Sequence, residues 1–141
     1  MKIAVLLCLL LVPAMDTVVA EPAPGAPAGS GRVFELRTYT ASPGKLGALN
    51  ARFRDHTIAL FKKHGMEVIG FWEPLDKEAG AGEKLVYILA HQSRAAAEAS
   101  WKSFRDDPEW VKVKAASEKG GVLPAKIESI FLAATDYSPM K

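Results

Sequence analysis

Glu35, Arg37 and Tyr39 alternate along VFELRTYTA, so a strand there sets a carboxylate, a guanidinium and a phenol on one face, with Phe34 and Leu36 on the other. A guanidinium is a planar fork suited to carboxylates and phenolates, and a guanidinium or phenol can stabilise a developing oxyanion. The alternative is that Arg37 and Glu35, two apart on one face, pair with each other at a subunit interface. His56, in the segment FRDH, falls on the apolar side of a helical pattern, which aims its imidazole at a sheet and makes it a candidate base or ligand contact. The alternative is a core histidine satisfied by one hydrogen bond, with Glu35 or Tyr39 as its partner. His56, Arg37 and Tyr39 are thus the catalytic candidates. Trp72, Tyr87 and Trp101 either wall a ligand site floored by Glu35, Arg37, Tyr39 and His56 or belong to the core.

The remaining chemistry-bearing residues are dispersed. His91 ends a strand, and His64 sits in a last helical turn where a protonated ring complements the helix dipole; neither is a strong catalytic candidate. The three histidines lie on separate elements without metal-binding spacing, and no phosphate-cradling loop or nucleophile elbow occurs, so neither a metal nor a cofactor is expected.

The elements that must position these groups follow from local pattern. Pro43-Gly44 ends the first strand. Leu46, Leu49, Phe53, His56 and Leu60 then recur at helical spacing until Gly65 stops the pattern. Val68 to Trp72 and Leu85 to His91 read as an antiparallel hairpin around Pro74 and a glycine-rich loop. Ser93 caps a helix with Ala97, Trp101 and Phe104 inward. Asp107-Pro108 starts another turn with Trp110 and Val113 inward. A last strand runs from Lys126 to Ala133. The order βαββαβ is α+β and predicts a ferredoxin-like, four-stranded antiparallel sheet with the helices on one face. Both alternation sets of the hairpin are apolar, so the opposite face needs cover as well. A second copy of the chain supplies it most economically, as a homodimer.

Of the 141 residues, 49% are hydrophobic, enough for one folded domain, and the formal net charge of +2 with scattered basic residues gives no reason to expect nucleic acid. Lys2, the apolar run Ile3 to Val12 and the small residues ending at Ala20 read as a cleavable signal peptide over 1–20. The run is too short for a stable membrane anchor, which takes about 20 residues. Export to the periplasm or the exterior follows. The single cysteine, Cys8, would leave with the signal. Residues 21–31 are a Pro/Ala/Gly-rich linker, 32–135 the domain and 136–141 a C-terminal tail.

FELRTYT, Pro-Gly, FRDH, KHG before GFW, and DDPEW occur in the order seen in the NIPSNAP family, which the chain resembles from Val33 to about Leu132. The resemblance implies a dimeric α/β barrel, with a cavity between sheet and helices in each protomer. On that plan Phe34 and Leu36 face the helices, and Glu35, Arg37 and Tyr39 face the barrel interior formed with the second chain. It implies no settled activity. The first reading is a homodimer that binds a small, partly apolar molecule. The second is a cofactor-independent enzyme of the monooxygenase or isomerase type found among such barrels, using His56 and Arg37. A third is a protein–protein interaction module working through the sheet edge.

Overall fold

Tyr87 is the centre of the domain and shows how the sequence closes around it. In the computed structural model, which describes residues 31–141, this side chain is completely buried, and the rings of Tyr39, Phe53, Phe61 and Phe71 pack on it with centroids 5.1 to 6.0 Å away. The predicted signal peptide, its Cys8 and the linker as far as Ser30 lie outside the described residues.

The chain runs β1 (Val33–Ala41), α1 (Leu46–Arg52), a π-helical turn (Phe53–Thr57), α2 (Ile58–Lys63), β2 (Glu67–Trp72), β3 (Lys84–His91), α3 (Arg94–Asp106), α4 (Pro108–Ser117) and β4 (Pro124–Ala133). The strands form one antiparallel sheet in the order β2-β3-β1-β4. This is the ferredoxin-like α+β fold expected. The helices lie on one face: Phe53 and Phe61 of the first helical stretch and Trp101 and Phe104 of α3 join the ring cluster over Tyr87.

The helix ends are set by local chemistry. Gly65, at φ +72°, lets Met66 N–H reach the Phe61 carbonyl at 2.9 Å and Gly65 N–H reach that of Lys62 at 3.2 Å, a Schellman closure with Phe61 and Met66 both buried. Ser93 Oγ accepts from Ala96 N–H at the start of α3. Asp107 accepts from Glu109 N–H at the start of α4, where Pro108 occupies the first turn.

Two expectations about which way residues face are corrected. Arg37 pairs in register with Tyr87, and Glu35 with Leu89, so the Glu35, Arg37, Tyr39 face of β1 points at the helices and the Leu36, Thr38 face points away from them. The reversal has a physical cause. Tyr39 supplies a ring to the core and Glu35 finds donors on α3 and both flanking strands, whereas Leu36 lies level with Ile88 and Ile130 in an apolar row on the other face. His56 is exposed, also against expectation. The π turn places Thr57 inward in its stead, with Thr57 Oγ1 donating to the Arg52 carbonyl at 3.1 Å.

Candidate functional site

Glu35 lies on the central strand with a relative exposure of only 1%, a position that a carboxylate holds only when its charge is compensated. Four donors meet it. Oε1 accepts from Arg37 Nη1 and from Ser129 Oγ, both at 2.6 Å, and Oε2 accepts from Trp101 Nε1 at 2.6 Å and His91 Nε2 at 3.2 Å. Burial is the largest single influence on its pKa and pushes it up. The hydrogen bonds from His91, Ser129 and Trp101, with the charge of Arg37, outweigh burial and hold it at about 2. An ionised carboxylate offers about four acceptor sites, and here all are taken. Glu35 therefore acts as an anchor rather than a base.

Arg37 is what the anchor holds. Its guanidinium stacks over Trp101 at 4.2 Å from the ring centroid and over Tyr39 at 5.6 Å, and Nη2 reaches Tyr39 Oη at the outer limit of hydrogen bonding, 3.5 Å. Burial alone disfavours its charge, but Tyr87, Tyr39 and Glu35 more than restore it. Of its five N–H donors, one is committed to a short bond with Glu35, one to the long contact with Tyr39, and Nε is buried with no partner among the described residues. The guanidinium is fixed in place with donor capacity remaining. Two other buried groups of the cluster, the Tyr87 hydroxyl and His91 Nδ1, are also without a partner among the described residues. Because Glu35 only accepts, His91 Nε2 carries the shared proton, which leaves Nδ1 as a free acceptor in the neutral ring.

The cluster is reached along β4. Ile127, Ser129 and Phe131 share its face, level with Tyr39, Arg37 and Glu35, yet Ile127 and Ser129 are exposed and Phe131 is only partly covered. Arg94, at the start of α3, lies 4.4 Å over the Phe131 ring. A basic and aromatic rim thus borders the fixed guanidinium.

Of the residues singled out from sequence, the fold gathers Glu35, Arg37, Tyr39, Tyr87 and Trp101. It does not gather His56 or Trp72. His56 lines an outer groove of about 640 Å³ between α1 and α4, beside Asp55, Glu109 and Lys112. Trp72 is half-exposed on the face away from the helices, with its ring so close over Gly70 that a Cβ there would come within 2.8 Å of it. A reaction using His56 as base with Arg37 beside it would need both to face one space, and they do not. Sequence reasoning passed over His91 and Ser129 as members of the cluster. Both follow the alternation of their strands, Leu85-Tyr87-Leu89-His91 and Ile127-Ser129-Phe131, once the face of Tyr87 is known.

The NIPSNAP family model matches residues 34–139. The chain belongs to the NIPSNAP family. Among curated proteins, none matches it. Solved structures do. An uncharacterised NIPSNAP-like domain protein from Burkholderia xenovorans is 16% identical with a TM-score of 0.67, over 78% of this chain and 90% of that one. A NIPSNAP family protein of unknown function from Agrobacterium tumefaciens is 22% identical with a TM-score of 0.68, over 82% and 99%. SnoaB, a cofactor-independent oxygenase from Streptomyces nogalater, is 15% identical with a TM-score of 0.51, over 77% and 98%. At these identities the likeness is one of fold. The site of this NIPSNAP domain is therefore defined by its own residues.

Proposed function

We propose that this NIPSNAP chain is an exported homodimer that binds a small, partly apolar molecule through an anionic group held by Arg37. The observation that carries the reading is the Arg37 guanidinium, immobilised by a saturated Glu35 and an indole face, with its Nε buried and unpartnered and open aromatic surface alongside on β4. Such a fork selects planar anions such as carboxylates, enolates or phenolates. Trp101 and Phe131 suit a flat apolar body next to it. Export rests on the apolar run 3–12 and the small residues up to Ala20.

A fluorescent aromatic sulfonate, 1-anilinonaphthalene-8-sulfonate, is a suitable probe because it joins an anion to flat rings. Saturable binding is expected, and Arg37→Lys, which keeps the charge but removes the fork, should weaken it by about 10-fold. Equal affinity in the two proteins would remove Arg37 from the site.

The dimer is supported by the face that the helices leave open. There Leu36, Ile88 and Ile130 form a continuous row, flanked by Trp72 with Val86 and by Phe34 with Leu132, and Trp72, Ile130 and Leu132 are exposed. Sedimentation should give a dimer at micromolar concentration, and Ile130→Glu, which sets a charge at the exposed β4 end of the row, should give a monomer with unchanged circular dichroism. A wild-type monomer would sink the dimer.

A further inference from the structure

A second group of reactive side chains lies on the far side of α3 from the Glu35 cluster, where the end of α2 meets the α3–α4 junction. His64 bridges a hydroxyl and a carboxylate: Nδ1 is 2.8 Å from Ser103 Oγ and Nε2 is 2.7 Å from Asp107 Oδ2. The order Ser, His, Asp matters more than the composition. Asp107 also receives Lys63 Nζ at 2.8 Å on Oδ2 and Glu109 N–H at 2.8 Å on Oδ1. The hydrogen bonds from Lys63, then His64, then Glu109 hold its carboxyl well below the usual carboxylate range. An ionised Asp107 can only accept, so the proton between it and His64 belongs to Nε2. In the neutral ring Nδ1 is then a lone pair, and it faces Ser103 Oγ. The hydroxyl hydrogen points at a base.

The ring is held in this attitude from three directions. Asp107 is buried, the His64 side chain is only 11% exposed, and the edge of the ring meets Phe104 at 6.2 Å and 87°. Ser103 by contrast is exposed on α3 and opens into a groove of about 590 Å³ that Ala99, Lys102 and Pro108 also line. An activated hydroxyl at the mouth of a groove with its base and orienting carboxylate behind it is the arrangement of a nucleophilic acyl-transfer site. The two ring nitrogens are exchanged relative to the serine-protease triad. The chemistry tolerates this, since either nitrogen serves as base once the other is pinned as donor.

We propose that Ser103, His64 and Asp107 form a hydrolytic site for small acyl esters, with Ser103 as nucleophile, His64 as general base and Asp107 as the residue positioning His64. Ser103 Oγ bonds to the ester carbonyl carbon as its proton passes to His64 Nδ1. The C–O bond to the alcohol then breaks, and the departing oxygen takes that proton. Water repeats the exchange: it gives a proton to Nδ1 and attacks the acyl carbon, and the bond to Ser103 breaks as the proton returns to Oγ. One water is consumed, an acid and an alcohol leave, and the protein is unchanged. Lys63 and Lys102 also line the groove, each paired with a carboxylate, Lys63 with Asp107 at 2.8 Å and Lys102 with Asp106 at 2.6 Å. Ala99 and Pro108 are the apolar part of the lining, which suits an acetyl-sized acyl group rather than a long chain.

The test uses the full chain with 4-nitrophenyl acetate as substrate and a fluorophosphonate as covalent probe, mapped by peptide mass spectrometry. The adduct is expected on Ser103. Ser103→Ala, at an exposed helical position where alanine is well tolerated, should slow ester hydrolysis by about 100-fold with unchanged circular dichroism, and His64→Gln should match it. Asp107→Asn keeps an oxygen for the α4 cap but no longer pins the Nε2 proton, so kcat should fall while KM stays. No adduct, an adduct on another residue, or Ser103→Ala hydrolysing as fast as wild type would each overturn the assignment.

Discussion

The domain holds the same three functional groups twice, in different orders. On the sheet side of α3, the Glu35 carboxylate is central and receives His91, Ser129, Trp101 and Arg37. On the other side the His64 imidazole is central, between Ser103 and Asp107. When the carboxylate is central every proton points inward to a saturated acceptor, and nothing can be relayed. When the imidazole is central one nitrogen donates and the other accepts, and a proton has a path. α3 serves both: Trp101 and Ser103 are two residues apart and therefore emerge on opposite sides of the helix. Two arrangements of similar composition thus differ in kind, a frame that fixes Arg37 and a relay that primes a hydroxyl.

Discharging the frame should have the greatest consequence. Glu35→Gln leaves Arg37 and its neighbours buried without a counter-charge, and should lower unfolding free energy by about 3–5 kcal/mol in urea titration. The same substitution has a signature in pH. With the Glu35 pKa depressed from the usual 4.5 to about 2 in the folded protein, its contribution is complete above 4.5 and is lost as pH falls toward 2. The difference in stability between wild type and Glu35→Gln should therefore be flat above pH 4.5 and narrow by about 3 kcal/mol below it. A difference independent of pH over that window would mean that Glu35 is not held as an anion.

Much of this is legible in the amino-acid sequence. The caps at Ser93 and Asp107, the stop at Gly65 and the alternation of the hairpin are local signals, and the βαββαβ order they define admits few sheets. The sidedness of β1 was not legible, because both faces mix polar and apolar groups and the choice depends on Tyr87, Trp101 and Ser129, which are 48 to 94 residues or so from β1 in sequence and meet it only through the sheet and α3. His56 was misplaced for a local reason. Phe53 to Thr57 carries no glycine or proline to announce a wide turn, and His56 and Thr57 both fit the three- or four-residue spacing from Phe53. The relay was invisible for a third reason: Ser103 and His64 are 39 residues apart and Asp107 is 43 from His64, with no motif joining them.

The smallest expected effect separates a frame complete in itself from one that waits for a ligand. The Tyr87 hydroxyl is buried against Tyr39 and Arg37 without a hydrogen bond of good geometry, and burial, reinforced by Tyr39, pushes its pKa well above the ordinary value. A buried hydroxyl with no partner costs free energy, and phenylalanine fills the same volume without it. Tyr87→Phe should therefore raise the stability of the unliganded protein by about 1 kcal/mol, read as a higher midpoint in urea at constant slope. A loss of stability instead would mean that Tyr39 or Arg37 already satisfies the hydroxyl in solution. If the gain in stability comes with weaker binding of the aromatic sulfonate, the hydroxyl joins Arg37 as a group whose missing partner is the ligand; if binding is unchanged, Arg37 carries the recognition without it.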